Sequence, residues 1–173
     1  MPDLSTLPAG THLFVDTNIL YLHFAGQSAT CTALCYRIAN GEILAYVNTE
    51  VLSDLIHKLM LAEACAKGVI ARPSAALLKA YLASNRTCIA AMTDHQAQFE
   101  STLAMGLKVL PVTKRLLVDT KMERAVHGLM TNDSLHLGSM NRRRVALRDV
   151  ATRDADFAHV PGVTVWEPRD VVT

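Results

Sequence analysis

The sequence is short of the features that mark several large protein classes. Its four cysteines, Cys31, Cys35, Cys65 and Cys88, include no CxxC pair, and no histidine pair stands near them at zinc-finger spacing. That argues against a structural zinc site and leaves reduced, mostly buried thiols as the expectation, in keeping with a reducing compartment. No uninterrupted apolar run reaches the roughly 20 residues of a membrane-spanning helix. Residues 1–11 have neither the charged start nor the apolar stretch of a secretory leader. A cytoplasmic location without membrane contact is therefore expected. Internal repeats, low-complexity tracts and linkers rich in Pro, Gly or Ser are also missing. Nor is there an excess of charge of one sign: 17 Lys and Arg stand against 16 Asp and Glu, for a net +1. Bulk charge thus gives no argument for a nucleic-acid partner, and local patterning has to decide.

What is present is an alternation of apolar segments and polar breaks over 173 residues, half of them hydrophobic, a length that fits one domain (1–173). His12–Val15 reads as a buried strand that stops at Asp16-Thr17-Asn18. A short helix over Ile19–Phe24 is closed by Gly26, and a second over Ala29–Asn40 is closed by Gly41. A strand at Ile43–Val47 leads to a long helix capped by Asn48 or Thr49 and running to Lys67. Its apolar stripe is Val51, Leu52, Leu55, Ile56, Leu59 and Met60. Pro73 suits the first turn of a helix whose apolar face is Leu77, Leu78, Tyr81 and Leu82. Thr93 or Asp94 caps another helix to Met105, and Leu107–Val112 reads as a strand. The spacing then predicts a helix over Thr113–His127, a shorter one near Asn132-Asp133, and strands at Val145–Ala151 and Val163–Val165. Met60, Met105, Met122, Met130 and Met140 read as core or gap-filling residues. Strands alternating with helices point to the α/β class: three layers, α/β/α, around a mostly parallel central sheet of about five strands.

In open α/β sheets, ligands bind beyond the carboxyl ends of the strands. The strand ends here are acidic. The first stops at Asp16, and the second leads into a helix carrying Glu50 and Asp54, four apart and so on one face. Asp133 opens a later helix, and the fourth strand leads to Asp154 and, two residues on, Asp156. Taken singly, each is as easily a helix cap. Converging, they would repel one another unless a cation sat among them. Hard oxygen donors suit Mg²⁺ or Mn²⁺, which can activate water and stabilise in-line displacement at phosphorus.

The motifs at these positions carry a resemblance. Phe14-Val15-Asp16-Thr17-Asn18 resembles the opening motif of PIN domains. Thr131-Asn132-Asp133-Ser134-Leu135-His136 resembles their third acidic segment, and Ala151-Thr152-Arg153-Asp154-Ala155-Asp156-Phe157 their fourth. The closing Val160-Pro161-Gly162-Val163-Thr164-Val165-Trp166 matches the way many PIN domains end. Order and spacing agree over residues 12–168. The resemblance implies a PIN-domain ribonuclease of the VapC-like toxin type: a metal-dependent endoribonuclease, dimeric, restrained by a small antitoxin, cutting RNA to leave a 5′-phosphate and a 3′-hydroxyl. It implies Asp16, Asp54, Asp133 and Asp154 as catalytic metal ligands, Asp156 as a fifth ligand or an outer contact, and Thr17, Asn18 and Thr152 as hydrogen-bonding support. One position departs from the pattern. The family's second acid is usually Glu, and Asp54 stands there one methylene shorter, with Glu50 a turn earlier as helper or substitute. A non-catalytic, PIN-like RNA- or protein-binding module is the alternative that this departure leaves open.

Other residues are weaker candidates. Arg142, Arg143, Arg144 and Arg153 either hold an RNA backbone through phosphate contacts or belong to a solvated loop. Lys58, Lys114 and Arg115 read as outward-facing, Asp119 and Asp149 as solvated or capping. His57 and His136 read as surface groups or as outer partners of the carboxylates, since hard cations prefer oxygen. A haloacid-type phosphatase would need Asp where Asn18 stands, and a receiver domain's paired acids and terminal Lys are absent.

Overall fold

Leu13, Phe14 and Val15 of β1 (His12–Val15) are fully buried on both faces, as expected of a strand at the centre of a parallel sheet. The computed structural model describes residues 1–142 and 145–171. The chain runs β1, α1 (Thr17–Phe24), α2 (Ala29–Ala39), β2 (Leu44–Asn48), α3 (Thr49–Ala66), α4 (Ala75–Leu82), α5 (Asp94–Ala104) and β3 (Lys108–Leu110). There follow α6 (Lys114–Asp119), α7 (Lys121–His127), α8 (Thr131–Met140), β4 (Asp149–Ala151) and β5 (Thr164–Trp166). Short 3-10 helices lie at Leu4–Thr6, Arg86–Ala91 and Ala155–His159.

The five strands pair in the order β3-β2-β1-β4-β5, all parallel. From β1 the chain steps one way to β2 and β3, then crosses back to the other side of β1 for β4 and β5. With right-handed crossovers, this reversal puts α1–α5 on one face and α6–α8 on the other. The packing follows that division: α1 packs on α2 and α3, and α3 on α5, while α6, α7 and α8 pack on each other. The result is a three-layer α/β/α fold. The point of reversal lies between β1 and β4, where the carboxyl ends of adjacent strands open a crevice.

Several expected boundaries move, each for a local reason. Ser74, not Pro73, begins α4: its side chain accepts from the Leu77 N–H, and Leu77 and Tyr81 are exposed rather than core. Thr93 offers α5 no side-chain cap, because the buried Glu63 of α3 takes the Asp94 and His95 N–H groups at 3.2 and 2.8 Å. The helix expected over Thr113–His127 is two helices broken at Thr120. That side chain is buried against Gly138 of α8, where a Cβ would lie 2.5 Å from Thr120 Cγ2. β4 is shorter than Val145–Ala151, since the Val145 and Ala146 N–H groups bond Arg142 and that of Leu147 bonds Met140, leaving none for a ladder. Met140 is core as expected, but Met122 and Met130 are exposed. All four cysteines are free, with Cys31 and Cys35 buried on one face of α2.

Candidate active site at the point of strand reversal

Asp16 directly follows β1, and its N–H still bonds the Ala151 carbonyl of β4 at 3.0 Å, so it stands at the crevice between the two strands. Its carboxylate is held from several sides. It caps α1 by accepting from the Thr17 N–H at 2.6 Å, and it accepts from the Thr152 hydroxyl at 2.6 Å and from the Asn18 amide. Asn18 also donates to Thr152 Oγ1 at 3.2 Å and accepts from the Arg153 N–H, while Thr152 Oγ1 accepts from the Asp154 N–H at 3.0 Å. Thr17, buried, bonds the Val51 carbonyl at the start of α3. Residues from three segments distant in sequence are thus fixed around one carboxylate.

Asp154 caps the following 3-10 turn by accepting from the Asp156 N–H at 2.9 Å. Asp133 lies in the first turn of α8, where the positive end of the helix dipole faces a carboxylate. One oxygen each from Asp133, Asp154 and Asp156 lie within 4.8 Å of one another. Burial, together with the charges of Asp154, Asp16 and Asp156, pushes the Asp133 carboxyl up to about 6. Three carboxylates this close, all hard oxygen donors, are a donor set that fits Mg²⁺ or Mn²⁺. Asp156, read from the sequence as a fifth ligand or an outer contact, is in reach of the cluster, and the capping at this turn falls to Asp154.

Glu50 and Asp54 on α3 line the same cavity of about 180 Å³ as Asp16, Thr17, Asn18, Asn132, Asp133, His136 and Asp154. The two differ in their surroundings. Asp54 is ion-paired with Lys58 at 2.8 Å, whereas Glu50 has no ion-pair or hydrogen-bond partner among the described residues. Lys58, expected to face outward, also lines this cavity.

His136 also lines this cavity, and the buried Asn48 holds its ring. Asn48, fully buried at the end of β2, caps α3 by accepting from the Val51 N–H at 2.9 Å. Its amide donates to Ser139 Oγ and meets His136 Nδ1, both at 3.1 Å. With Nδ1 accepting, the ring proton sits on Nε2, which faces Asp16 Oδ1 at 3.9 Å. The ring is buried and packs on Phe14, with centroids 5.4 Å apart. Burial lowers its pKa against the opposing pull of Asp16, Glu50, Asp54 and Asp154, which favours the neutral ring. The sequence offered Asn48 only as one of two caps for α3, with Thr49; that its amide reaches across to α8 carries no local signal.

The remaining candidates lie further out. Arg153 is exposed, while Arg142 donates to the Pro111 carbonyl at 2.6 Å and lines a separate cavity of about 540 Å³ between α6, α7 and α8. That cavity is larger than the acidic one but gathers no comparable set of carboxylates. Arg143 and Arg144 lie outside the described residues. His57 is exposed. Asp119 pairs with Arg115 at 3.2 Å, and Asp149, expected to be solvated or capping, accepts from the Trp166 indole at 2.8 Å.

No protein-family model matches the sequence, and no curated protein matches it. Solved structures do. A chain of a toxin–antitoxin complex from Klebsiella pneumoniae aligns with a TM-score of 0.53 at 18% identity, over 89% of this chain and 96% of that one. A chain from the structure of VapBC2 of Rickettsia felis, bound to a DNA fragment from the promoter, aligns with a TM-score of 0.55 at 14% identity, over 91% and 98%. At these identities the likeness is one of architecture, and what it establishes is that the chain has the PIN-like, three-layer α/β/α fold found in these toxin–antitoxin complexes.

Proposed function

We propose that this protein is a metal-dependent endoribonuclease, the toxin of a toxin–antitoxin pair, which hydrolyses phosphodiester bonds of RNA in the cytoplasm. The observation that carries the reading is the convergence of carboxylates from four separate segments at the strand reversal, three of them with oxygens within 4.8 Å. Such a cluster costs stability unless a cation relieves it. Asp16, Asp133 and Asp154, with Asp156 and a carboxylate of α3 (Asp54 or Glu50), would hold Mg²⁺ or Mn²⁺. The ion would supply Lewis acidity at phosphorus and lower the pKa of water.

The chain's own residues do the positioning. Thr17, Asn18 and Thr152 lock the Asp16 carboxylate in one orientation, so that it presents a fixed acceptor to an attacking water. The His136 Nε2–H closes the pocket floor behind it. Arg153 and Arg142, with Arg143 and Arg144, are the proposed contacts to the RNA backbone. An antitoxin partner is proposed from the company this fold keeps in its structural neighbours. A homodimer is proposed through the apolar stripe on α6 and α7, where Val118 and Met122 are 65% and 63% exposed.

The test is cleavage of a panel of structured RNAs by the purified protein with Mg²⁺ or Mn²⁺, against chelator and an Asp16→Asn variant. Cleavage that needs both the metal and Asp16 supports the enzyme. The Lys58 ion pair on Asp54 favours a second reading, a PIN-like binding module with a weakened metal site. Intact folding and retained RNA or partner binding, without cleavage at any metal concentration, would establish that reading instead.

A further inference from the structure

Glu50, Asp54 and Lys58 follow one another at four-residue intervals on α3, so they form a row along one face, and all three line the acidic cavity. Helical side chains lean toward the helix N-terminus, which here is the end emerging from β2 at the carboxyl edge of the sheet. The long stem of Lys58 therefore carries its ammonium back toward the carboxylates, where it meets Asp54 at 2.8 Å. Both partners are partly exposed, at 41% and 38% of their side chains, and an ion pair of that kind adds little to stability. Its position matters more. Among the described residues lining the cavity, Lys58 is the one Lys or Arg facing five carboxylates.

A cavity of this composition repels a phosphodiester unless cations face the phosphate. A metal ion answers part of that repulsion, and an ammonium at the rim, a compact point charge with three rotatable donors, answers more. Asp54, already paired, is the poorer metal donor of the two α3 acids, because a metal would have to compete with the ammonium for its oxygens. Glu50 lies a turn nearer the strand end and is without a partner among the described residues.

We propose that α3 divides these tasks: Glu50 is the metal-holding carboxylate of the helix, and Asp54 instead anchors Lys58, whose ammonium contacts the RNA phosphate at the mouth of the cavity. This rests on the nuclease reading above. The experiment has two readouts on the full chain, neither of them turnover. Calorimetry gives Mn²⁺ affinity for the wild type and for Glu50→Gln, Asp54→Asn and Lys58→Met. Binding of a single-stranded RNA oligonucleotide in Ca²⁺, across a series of salt concentrations, gives affinity and salt slope, and circular dichroism checks folding.

Glu50→Gln should weaken Mn²⁺ binding by about tenfold or more, while Asp54→Asn and Lys58→Met change it less than about threefold. Lys58→Met should weaken oligonucleotide binding about fivefold and flatten the salt slope by about 0.7, the loss of one phosphate contact on a single strand. Lys58→Arg should retain most of both. Mn²⁺ binding lost in Asp54→Asn but kept in Glu50→Gln would overturn the division of tasks. Unchanged affinity and slope in Lys58→Met would overturn the phosphate contact. If these variants behave like wild type while Asp16→Asn abolishes metal-dependent cleavage, this inference falls and the nuclease stands. If the wild type binds no Mn²⁺, both fall.

Discussion

At the scale of single residues, the site is defined by charges held closer than they would settle in water. Asp133 shows the consequence most clearly. Its folded pKa, pushed up to about 6 from an ordinary 3.8 by burial and then by Asp154, Asp16 and Asp156, exceeds the unfolded value. A raised pKa means that the stabilising contribution of the protonated carboxyl is fully present below about pH 4 and is lost as the pH rises through about 6. Asp133→Asn should therefore stabilise the metal-free protein at pH 7.5, by about 1 kcal/mol after allowing for solvent screening, or about 2–4 °C in Tm. At pH 4 the gain should vanish. Thermal melts in chelator at the two pH values check this. In saturating Mn²⁺ the sign should reverse, because the variant has lost a donor. Glu50 and Asp54 also differ at this scale: the sequence shows two acids on one face, and only the Lys58 contact distinguishes them.

At the scale of elements, two joints between helices bear predictions. The first is Glu63, which ties α3 to α5. Its buried carboxylate accepts from the Lys67 ammonium and His95 Nδ1, both at 2.6 Å, and from two backbone N–H groups of α5. Burial alone would raise its pKa, but the Lys67 and His95 hydrogen bonds outweigh it and hold it at about 2. A depressed pKa stabilises the fold above the ordinary value of 4.5 and is lost as the pH falls toward 2. Glu63→Gln should cost about 2 kcal/mol at pH 7 and progressively less below pH 4, read from urea unfolding. The second joint is where α8 passes the break between α6 and α7. Gly138→Ala would drive its new methyl into Thr120 Cγ2 and should cost about 1–3 kcal/mol. Adding Thr120→Ser, which removes that methyl, should recover part of the loss, and a double-mutant cycle in denaturant measures how much.

At the scale of the whole molecule, the exposed stripe of Val118, Met122 and Val126 on α6 and α7, with Met130 in the link that follows, is 63–72% exposed and is the surface on which the proposed dimer depends. Sedimentation should find a dimer in the wild type and a monomer in Met122→Glu; a monomeric wild type removes the proposal. The stripe also shows the limit of reading a sequence. Met122 and Met130 look like core residues because hydrophobicity does not say which side of a helix faces the sheet, as for Met122 on α7, or that Met130 stands in the extended link before α8. Ser74 displaced the expected start at Pro73, whereas β1, the cap at Asn48, the glycine stops and the acids that follow β1 and β4 are local matters. Period, chain direction and backbone chemistry determine them, so the sequence by itself was enough to place Asp16, Asp133 and Asp154 at one edge of a parallel sheet. The shortening of β4 and the capping of α5 by a glutamate thirty-one residues away were not local. Neither was the reach of Asn48 to His136 or the turning of Lys58 into the acidic cavity. These contacts join residues far apart in the chain or depend on which way a helix faces. Only the packed tertiary structure decides them, because burial, and not spacing, determines which partner a polar group must find.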